Sequence, residues 1–163
     1  FRATRIWPTP PGGSEAMMIM SKIRTSVRRS FLFLRHFFLT RVYGMDIRST
    51  AIVSFKARLD KTNPKGIHIG EKTVITTGVV ILSHNYVMGD GTYVDTRIGD
   101  NVFIGVNSII MPGVTVGNNI IVGAGSVVTK DIEDFSIVAG NPAVLVRTDR
   151  SIGAFGQFDK KTR

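Results

Sequence analysis

The second half of the sequence repeats with a period of six residues. In each hexad between residues 98 and 133 the first position is aliphatic and the fifth is small or branched. The six aliphatic positions are Ile98, Ile104, Ile110, Val116, Val122 and Val128. A period of six does not keep residues on one side of a helix with 3.6 residues per turn, so the pattern excludes an amphipathic helix.

The same frame occurs earlier in the chain, in two shorter runs. One starts at Ile69 and leads through Ile75 to Ile81, and the other starts at Ile47 and continues at Val53. A hexad suits one short strand and one bend, and three hexads close one triangular coil. Stacked coils pair as parallel strands about 4.8 Å apart and bury their aliphatic side chains against one another. The repeat therefore predicts an all-β parallel solenoid.

The repeat and the end of the chain resemble those of the hexapeptide-repeat acyltransferases. The stretch VGAGSVVTKDIEDFSIVAGNPAVLVR, Val122–Arg147, is similar to the C-terminal signature of that family. Within it the hexad frame slips by three residues at Asp134–Ser136 and resumes at Ile137. The resemblance covers Asp46–Arg147 and is closest to the maltose, galactoside and polysaccharide O-acetyltransferases. It implies a left-handed parallel β-helix, an exception to the usual handedness of crossovers. It also implies acetyl-CoA as co-substrate and a homotrimer with active sites between subunits.

One long segment interrupts the hexad frame, between Ile81 and Ile98. Their separation in the sequence is not a multiple of six, and the turn signal Gly89–Asp90–Gly91 lies between them. A loop that leaves a rigid solenoid usually serves function. His84 stands near its beginning, and an imidazole is a suitable general base at neutral pH. In the resembled family a histidine at this place deprotonates the acceptor, so the resemblance implies that His84 is the catalytic base.

The chain has no cysteine, so the sequence favours direct attack of the acceptor on the thioester, without a thiol-linked intermediate. Candidates on the acceptor side are Asn85, Tyr86, Asp90, Asp95 and Phe103. Asn85 is a candidate for hydrogen bonding a sugar hydroxyl, and Asp95 for orienting His84 or a neighbouring side chain. For the loop residues, ordinary turn chemistry is the alternative. Phe103 occupies a place where similar enzymes often have tryptophan near the active site, which implies a wall of the acceptor site.

The resemblance also implies coenzyme contacts, at Val106, Ala124, Thr129, Lys130 and Arg147. Val106 and Ala124 match turns whose backbone N–H groups contact the pantetheine arm. Thr129 and Lys130 match residues near the nucleotide, where a lysine suits phosphate as a point charge. Arg147 is a weaker match, near the 3′-phosphate. The sequence departs from the family at Val144, because relatives often carry Lys or Arg after Asn-Pro-Ala.

Positive charge is concentrated near the beginning of the chain. Residues 1–48 carry nine Lys or Arg against two acids, whereas residues 49–163 carry twelve against ten. The body of the protein is therefore nearly balanced, which argues against a nucleic-acid partner. The absence of cysteine fits a reducing compartment such as the cytoplasm.

Four segments are predicted: a leader or linker at 1–16, a basic amphipathic helical segment at 17–45, the catalytic β-helix at 46–147 and a polar tail at 148–163. Met17, Met18 and Met20 are candidates for natural initiation. Two interpretations of the helical segment, centred on residues 21–43, remain open. It caps the open end of the solenoid, or it contacts an anionic membrane surface. Its longest apolar run is four residues, too short to span a bilayer.

Three other functions are alternatives for a chain of this pattern. Zinc enzymes share this fold, but the chain has only His36, His68 and His84, whose spacing does not form a three-imidazole site, so no metal is predicted. A serine acetyltransferase-like enzyme with an amino-acid acceptor and a non-catalytic trimeric scaffold remain as alternatives to O-acetylation of a sugar or polysaccharide precursor.

Overall fold

The computed structural model describes residues 20–22, 27, 30–87 and 91–158, and most of its strands are short and belong to three sheets that the chain visits in turn. Sheet 1 contains β1 (Asp46–Ile47), β4 (Ile67–Ile69), β9 (Thr96–Ile98) and β12 (Thr115–Val116). Sheet 2 contains β2 (Ile52–Val53), β5 (Val74–Ile75), β10 (Phe103–Ile104), β13 (Ile121–Val122), β15 (Ser136–Gly140) and β16 (Ala143–Thr148). Sheet 3 contains β3 (Arg58–Leu59), β6 (Val80–Ile81), β11 (Ile109–Ile110) and β14 (Val127–Val128).

The predicted parallel solenoid is confirmed. Ile98 pairs with Val116 and Ile104 with Val122, so successive coils are offset by three hexads and all these strand pairs are parallel. One aliphatic side chain of each strand points inward, and Ile104 and Ile110 are fully buried. The hexad repeat thus forms a continuous apolar core along the axis, as a solenoid requires.

The corners of each coil explain the small residues in the fifth position of the hexads. Ser108 and Ser126 are fully buried, and the Ser108 hydroxyl donates to the carbonyl of Gly123 at 2.8 Å. A Cβ atom on Gly105 would lie 2.5 Å from the amide nitrogen of Ala124 in the next coil. Only glycine allows that approach between neighbouring turns.

Two coils are longer than three hexads, and both insertions leave the same corner, between sheet 3 and sheet 1. Ile47 pairs with Ile69, so the first insertion adds four residues to its coil. Ile69 pairs with Ile98, so the second insertion adds eleven. The first insertion contains the 3-10 turn Pro64–Gly66, and the second contains an antiparallel hairpin of β7 (His84–Asn85) and β8 (Thr92–Tyr93). The two loops are therefore stacked on each other.

The last coil is shorter than three hexads. Ile132 bridges to Val116 and Val138 pairs with Val122, so each offset is two residues less than three hexads. The predicted resumption of the frame at Ile137 is wrong by one residue, because Val138 points inward with 5% of its surface exposed. The two-residue shortening occurs before Ile132 and not at the predicted three-residue slip.

A helix covers the first coil. Residues 30–37 are α-helical and continue as a π-helical turn, Phe38–Val42; together they are called the N-terminal helix. Leu39 of this helix is buried against the core, and Arg35 donates to the carbonyls of Phe55 and Ala57 at 3.0 and 2.7 Å. No helix among the described residues is long and apolar enough to cross a membrane.

The other end of the solenoid is covered by the C-terminal segment. β16 pairs antiparallel with β15, and the chain then folds back, so that Ile152 is buried and bridges to Phe158. The Asn119 amide donates to the carbonyl of Ile152 at 2.5 Å. The segment predicted as a polar tail is thus packed on the solenoid as far as residue 158, and residues 159–163 lie outside the described residues.

Candidate active site

His84 and Asp60 form a hydrogen-bonded pair at the corner where the two insertions stack. Asp60 directly follows β3, and its N–H donates to the carbonyl of Ile81 at 3.0 Å. His84 begins β7, three residues after Ile81, so the stacking of the coils brings together two residues that are distant in the sequence. The Nδ1 atom of His84 lies within hydrogen-bond distance of Asp60 Oδ2. Asp60 is buried and His84 is partly buried, with 18% of its side chain exposed.

The surroundings of Asp60 keep it ionised. Burial raises the pKa of the carboxyl, but hydrogen bonds from the Ser83 N–H, His84 and the Thr62 N–H outweigh burial, and the pKa lies below its usual value. The Ser83 and Thr62 N–H groups donate at 2.8 and 2.9 Å. Since a carboxylate only accepts hydrogen bonds, the His84 nitrogen that faces it, Nδ1, carries a proton.

This pairing fixes the tautomer of His84. With the proton on Nδ1, the lone pair of a neutral imidazole lies on Nε2. No group among the described residues hydrogen-bonds to Nε2. A histidine with this tautomer, backed by a carboxylate, can take a proton from an incoming hydroxyl and hold the resulting positive charge.

Asn63 ties the two insertions together beneath the pair. Its side-chain amide donates to the carbonyls of Ser83 and Val94, at 2.8 and 3.3 Å, and its own backbone carbonyl accepts from the Ser83 hydroxyl at 2.6 Å. Thr96 donates from its hydroxyl to the carbonyl of Leu82 at 2.6 Å. Both ends of the second insertion are therefore anchored, which holds His84 in place.

Of the predicted acceptor-side residues, the structure brings two to His84. The ring of Tyr86 stands edge-on to the imidazole, 4.8 Å between centroids, and 68% of the residue is exposed. Asn85 follows His84 directly, but its Oδ1 accepts from the Val87 N–H at 2.9 Å, which is turn chemistry. Asp90 lies outside the described residues.

The structure does not bring the other two predicted acceptor-side residues to His84. Asp95 does not orient His84: its carboxylate accepts from Arg97 at 2.5 Å and lies 3.5 Å from Nε2 of His68, on the outer face of sheet 1. Phe103 lies in sheet 2, whereas His84 follows sheet 3, and the backbone of Phe103 packs against Gly156. Within one chain Phe103 is therefore not a wall beside His84.

Asp60 is the site residue that the sequence interpretation missed. A signal for it exists, because Leu59 continues the hexad run from Val53 and the next run starts at Ile69, which leaves four residues too many for a regular coil. This insertion and the His84 loop both follow the third strand of a coil, after Leu59 and Ile81, so both must leave the solenoid at the same corner. The first residue after Leu59 could therefore have been placed beside the loop.

The predicted coenzyme residues lie at two corners of the coil and on sheet 2. Thr129 and Lys130 are exposed. They lie at the corner of sheets 3 and 1, the same corner as His84, but two coils or about 10 Å further along the axis. Val106 and Ala124 lie at the corner of sheets 2 and 3, and no acceptor among the described residues binds their N–H groups. Arg147, in β16, lies 3.3 Å from the carboxylate of Asp149.

Within the described residues, no cluster of three His, Cys, Asp or Glu side chains could hold a metal ion.

Comparisons with known proteins relate this chain to acetyltransferases. Residues 95–130 match the family model described as the hexapeptide repeat of succinyl-transferase. The putative acetyltransferase YvoF of Bacillus subtilis (strain 168) is 39% identical over 85 residues, which cover 52% of this chain and 49% of that protein. Serine acetyltransferase 2 of Arabidopsis thaliana is 33% identical over 138 residues, which cover 82% of this chain and 42% of that protein.

A solved structure supports the same relation. Galactoside acetyltransferase in complex with coenzyme A superposes with a TM-score of 0.57 at 26% identity, and the match covers 70% of this chain and 69% of that one. The chain spans about half, or less, of the length of the two curated relatives. The chain therefore carries the hexapeptide repeat of the acyltransferases and is related to them in sequence and in fold.

Proposed function

We propose that this protein is an acetyl-CoA-dependent O-acetyltransferase in which His84 is the general base. The observation that carries the proposal is the buried Asp60 carboxylate on Nδ1 of His84, which leaves Nε2 to accept a proton. The relation to acetyltransferases supports acetyl-CoA as the donor of the acetyl group. The fold that this relation implies is the left-handed form of the parallel β-helix.

The reaction is a direct transfer. Nε2 of His84 takes the proton of an acceptor hydroxyl as its oxygen attacks the thioester carbonyl carbon, which gives a tetrahedral intermediate. Collapse of the intermediate breaks the carbon–sulfur bond, and the protonated His84 returns the proton to the departing thiolate. Asp60 stabilises the positive charge that His84 carries between the two steps.

The positions of the predicted coenzyme residues fit an extended coenzyme. No acceptor among the described residues binds the N–H groups of Val106 and Ala124, which supports them as donors for the pantetheine amides. Thr129 and Lys130 are exposed, which supports them as contacts for the nucleotide phosphates. Because these two pairs lie at different corners of the coil, a coenzyme that meets both sets of contacts runs between neighbouring solenoids. We propose a homotrimer with the active sites between subunits, for which light scattering should give three times the mass of the chain.

A sugar or polysaccharide precursor is the acceptor we favour. The exposed ring of Tyr86 beside His84 offers a flat apolar surface of the kind that suits a sugar ring, with the base at its edge. A serine-like acceptor is the second candidate, because the plant serine acetyltransferase matches 82% of this chain. The base and its carboxylate serve either hydroxyl equally well, so the pair does not discriminate between them.

Turnover of acetyl-CoA with a panel of sugars, nucleotide sugars and serine tests this function. We expect activity with a saccharide, and a loss of about 10²–10⁴ in kcat for His84→Ala. His68→Gln is the matched control, because it changes another partly buried histidine that pairs with an aspartate, outside the site. Unchanged turnover in His84→Ala would refute the mechanism, and no turnover with any acceptor would favour a non-catalytic scaffold.

A further inference from the structure

The N-terminal helix is apolar on most of its circumference, yet the solenoid covers only one side of it. Leu39 faces the first coil and is 6% exposed. On the uncovered side the exposed apolar residues are Phe31, Phe33, Leu34, Phe37, Phe38 and Val42, each between 49% and 73% exposed. A helix that is apolar all round is normally buried on all sides. An exposed apolar patch of this kind marks a surface that another body covers.

The apolar surface continues from the helix onto the solenoid. Phe55, at the corner of sheets 2 and 3 in the first coil, is 70% exposed. Two grooves, of about 900 and 580 Å³, run on either side of it, and Phe31 and Phe55 line both. The guanidinium of Arg35 lies 5.6 Å from the Phe55 ring and bonds to the backbone carbonyl of Phe55, which holds a positive charge beneath the ring.

The charge that lines these two grooves has one sign, whereas Asp46 and Glu71 lie with Arg48 on the other side of the helix, beside Phe33 and Phe37. Lys56, Arg58 and Lys61 are exposed cations that line the grooves, and Arg41 is an exposed cation of the helix itself. None of the described residues that line the two grooves is acidic. The sequence itself has no Asp or Glu between Glu15 and Asp46. The partner that fits is therefore apolar and negatively charged.

We propose that this helix-and-Phe55 surface docks on an anionic membrane. The phenylalanine rings and Leu34 would lie at the boundary of headgroups and acyl chains, and the cations would contact the negative headgroups. A second copy of the same surface fits less well, because it would place like charges opposite one another. Lys61, which lines the larger groove, directly follows Asp60 in the chain, so a docked membrane lies next to the catalytic corner.

Vesicle flotation of the full chain tests the proposal. We expect flotation with vesicles of phosphatidylcholine containing about 30% phosphatidylglycerol, little with phosphatidylcholine alone, and weaker binding in high salt. The double substitution Phe33→Ser and Phe37→Ser should lower the partition constant at least about ten-fold. Arg41→Ala should lower it about five-fold. The matched controls are Leu145→Ser and Arg150→Ala, exposed residues at the other end of the solenoid, and neither should change it.

Three outcomes would overturn the proposal. The first is the absence of flotation with the anionic vesicles. The second is equal binding by the wild type and the Phe33→Ser, Phe37→Ser variant. The third is a lower molar mass of that variant in light scattering with unchanged flotation, which would make the surface a contact between copies. Circular dichroism melts of each variant check that the solenoid is folded, so that a loss of flotation reports on the surface.

Discussion

Replacement of Asp60 by asparagine tests the role of the carboxylate behind His84. Oδ2 of Asp60 accepts from Ser83 N–H and faces His84 Nδ1, and Oδ1 accepts from Thr62 N–H. An amide retains only one oxygen. Ser83 is fully buried and Thr62 is exposed, so the amide oxygen should stay on the side of Ser83 and His84, because a buried unpaired N–H costs about 1–3 kcal/mol.

The size of the effect follows from this orientation. The asparagine oxygen still accepts from His84 Nδ1, so the tautomer is kept and only the negative charge is lost. A hydrogen bond to a charged group is worth about 1.5–3 kcal/mol and a neutral one about 0.5–1.5 kcal/mol. The positive imidazole of the transition state thus loses about 1–2 kcal/mol, which lowers kcat about 5–30-fold. Asp60→Ala leaves Nδ1 without its acceptor and should cost about 10²–10⁴ in kcat.

Release of the coenzyme thiol gives kcat and KM in one assay. The KM for acetyl-CoA should not change in Asp60→Asn, since Asp60 lies outside the proposed coenzyme contacts. Asp95→Asn is the control, and its rate should stay within about two-fold, because exposed ion pairs contribute little. In the His84→Ala background the Asp60→Asn substitution should have no further effect. A further fall by the same factor would show that Asp60 acts independently of His84 and refute the pairing.

Three further predictions concern stability. The pKa of Asp60 is lowered in the folded protein, so its carboxylate contributes stability above the unfolded pKa of about 4. This stabilisation is lost as the pH falls through the lowered pKa. In urea unfolding from about pH 5 to about pH 2, the free energy of unfolding should therefore fall less steeply in Asp60→Asn than in wild type. Asn63→Ala removes the donor to the carbonyls of Ser83 and Val94, so it should lower the free energy of unfolding by about 1–3 kcal/mol. It should also lower kcat without changing the KM for acetyl-CoA. A normal kcat in the folded variant would contradict the role of Asn63 in holding His84. Ile104→Ala should cost about 2–5 kcal/mol in urea unfolding, and a cost no larger than that of Val144→Ala, an exposed residue, would contradict the described core.

The solenoid could be predicted from the sequence because the residues of each hexad by themselves indicate one short strand and one bend. The inward aliphatic and the small fifth residue are local signals, and spacing alone places Ile98, Ile104 and Ile110 in the core. The shortened last coil was not predicted correctly, because Ile137 and Val138 are both aliphatic and the pattern cannot tell which one points inward.

The site was only partly predictable. His84 stands out because it lies where the frame breaks. Asp60 does not, because its partner is distant in the sequence and the contact depends on both insertions leaving one corner. Asp95 is closer to His84 in sequence, but the start of β9 turns its side chain towards Arg97 and His68. The helical segment has two separate interpretations from sequence; the structure shows that it covers the first coil with one side and leaves its other side exposed.

The stacking of two insertions at one corner has a consequence for how such a protein can change or be redesigned. The coil that directly follows the second insertion keeps the three-hexad spacing, so loop length can vary at that corner without moving the core. Doubling a loop adds only about 0.6 kcal/mol of closure entropy. The base and its carboxylate, however, come from different loops. Exchange of the second insertion alone would transplant His84 without Asp60, so a graft into another solenoid must carry both loops on adjacent coils.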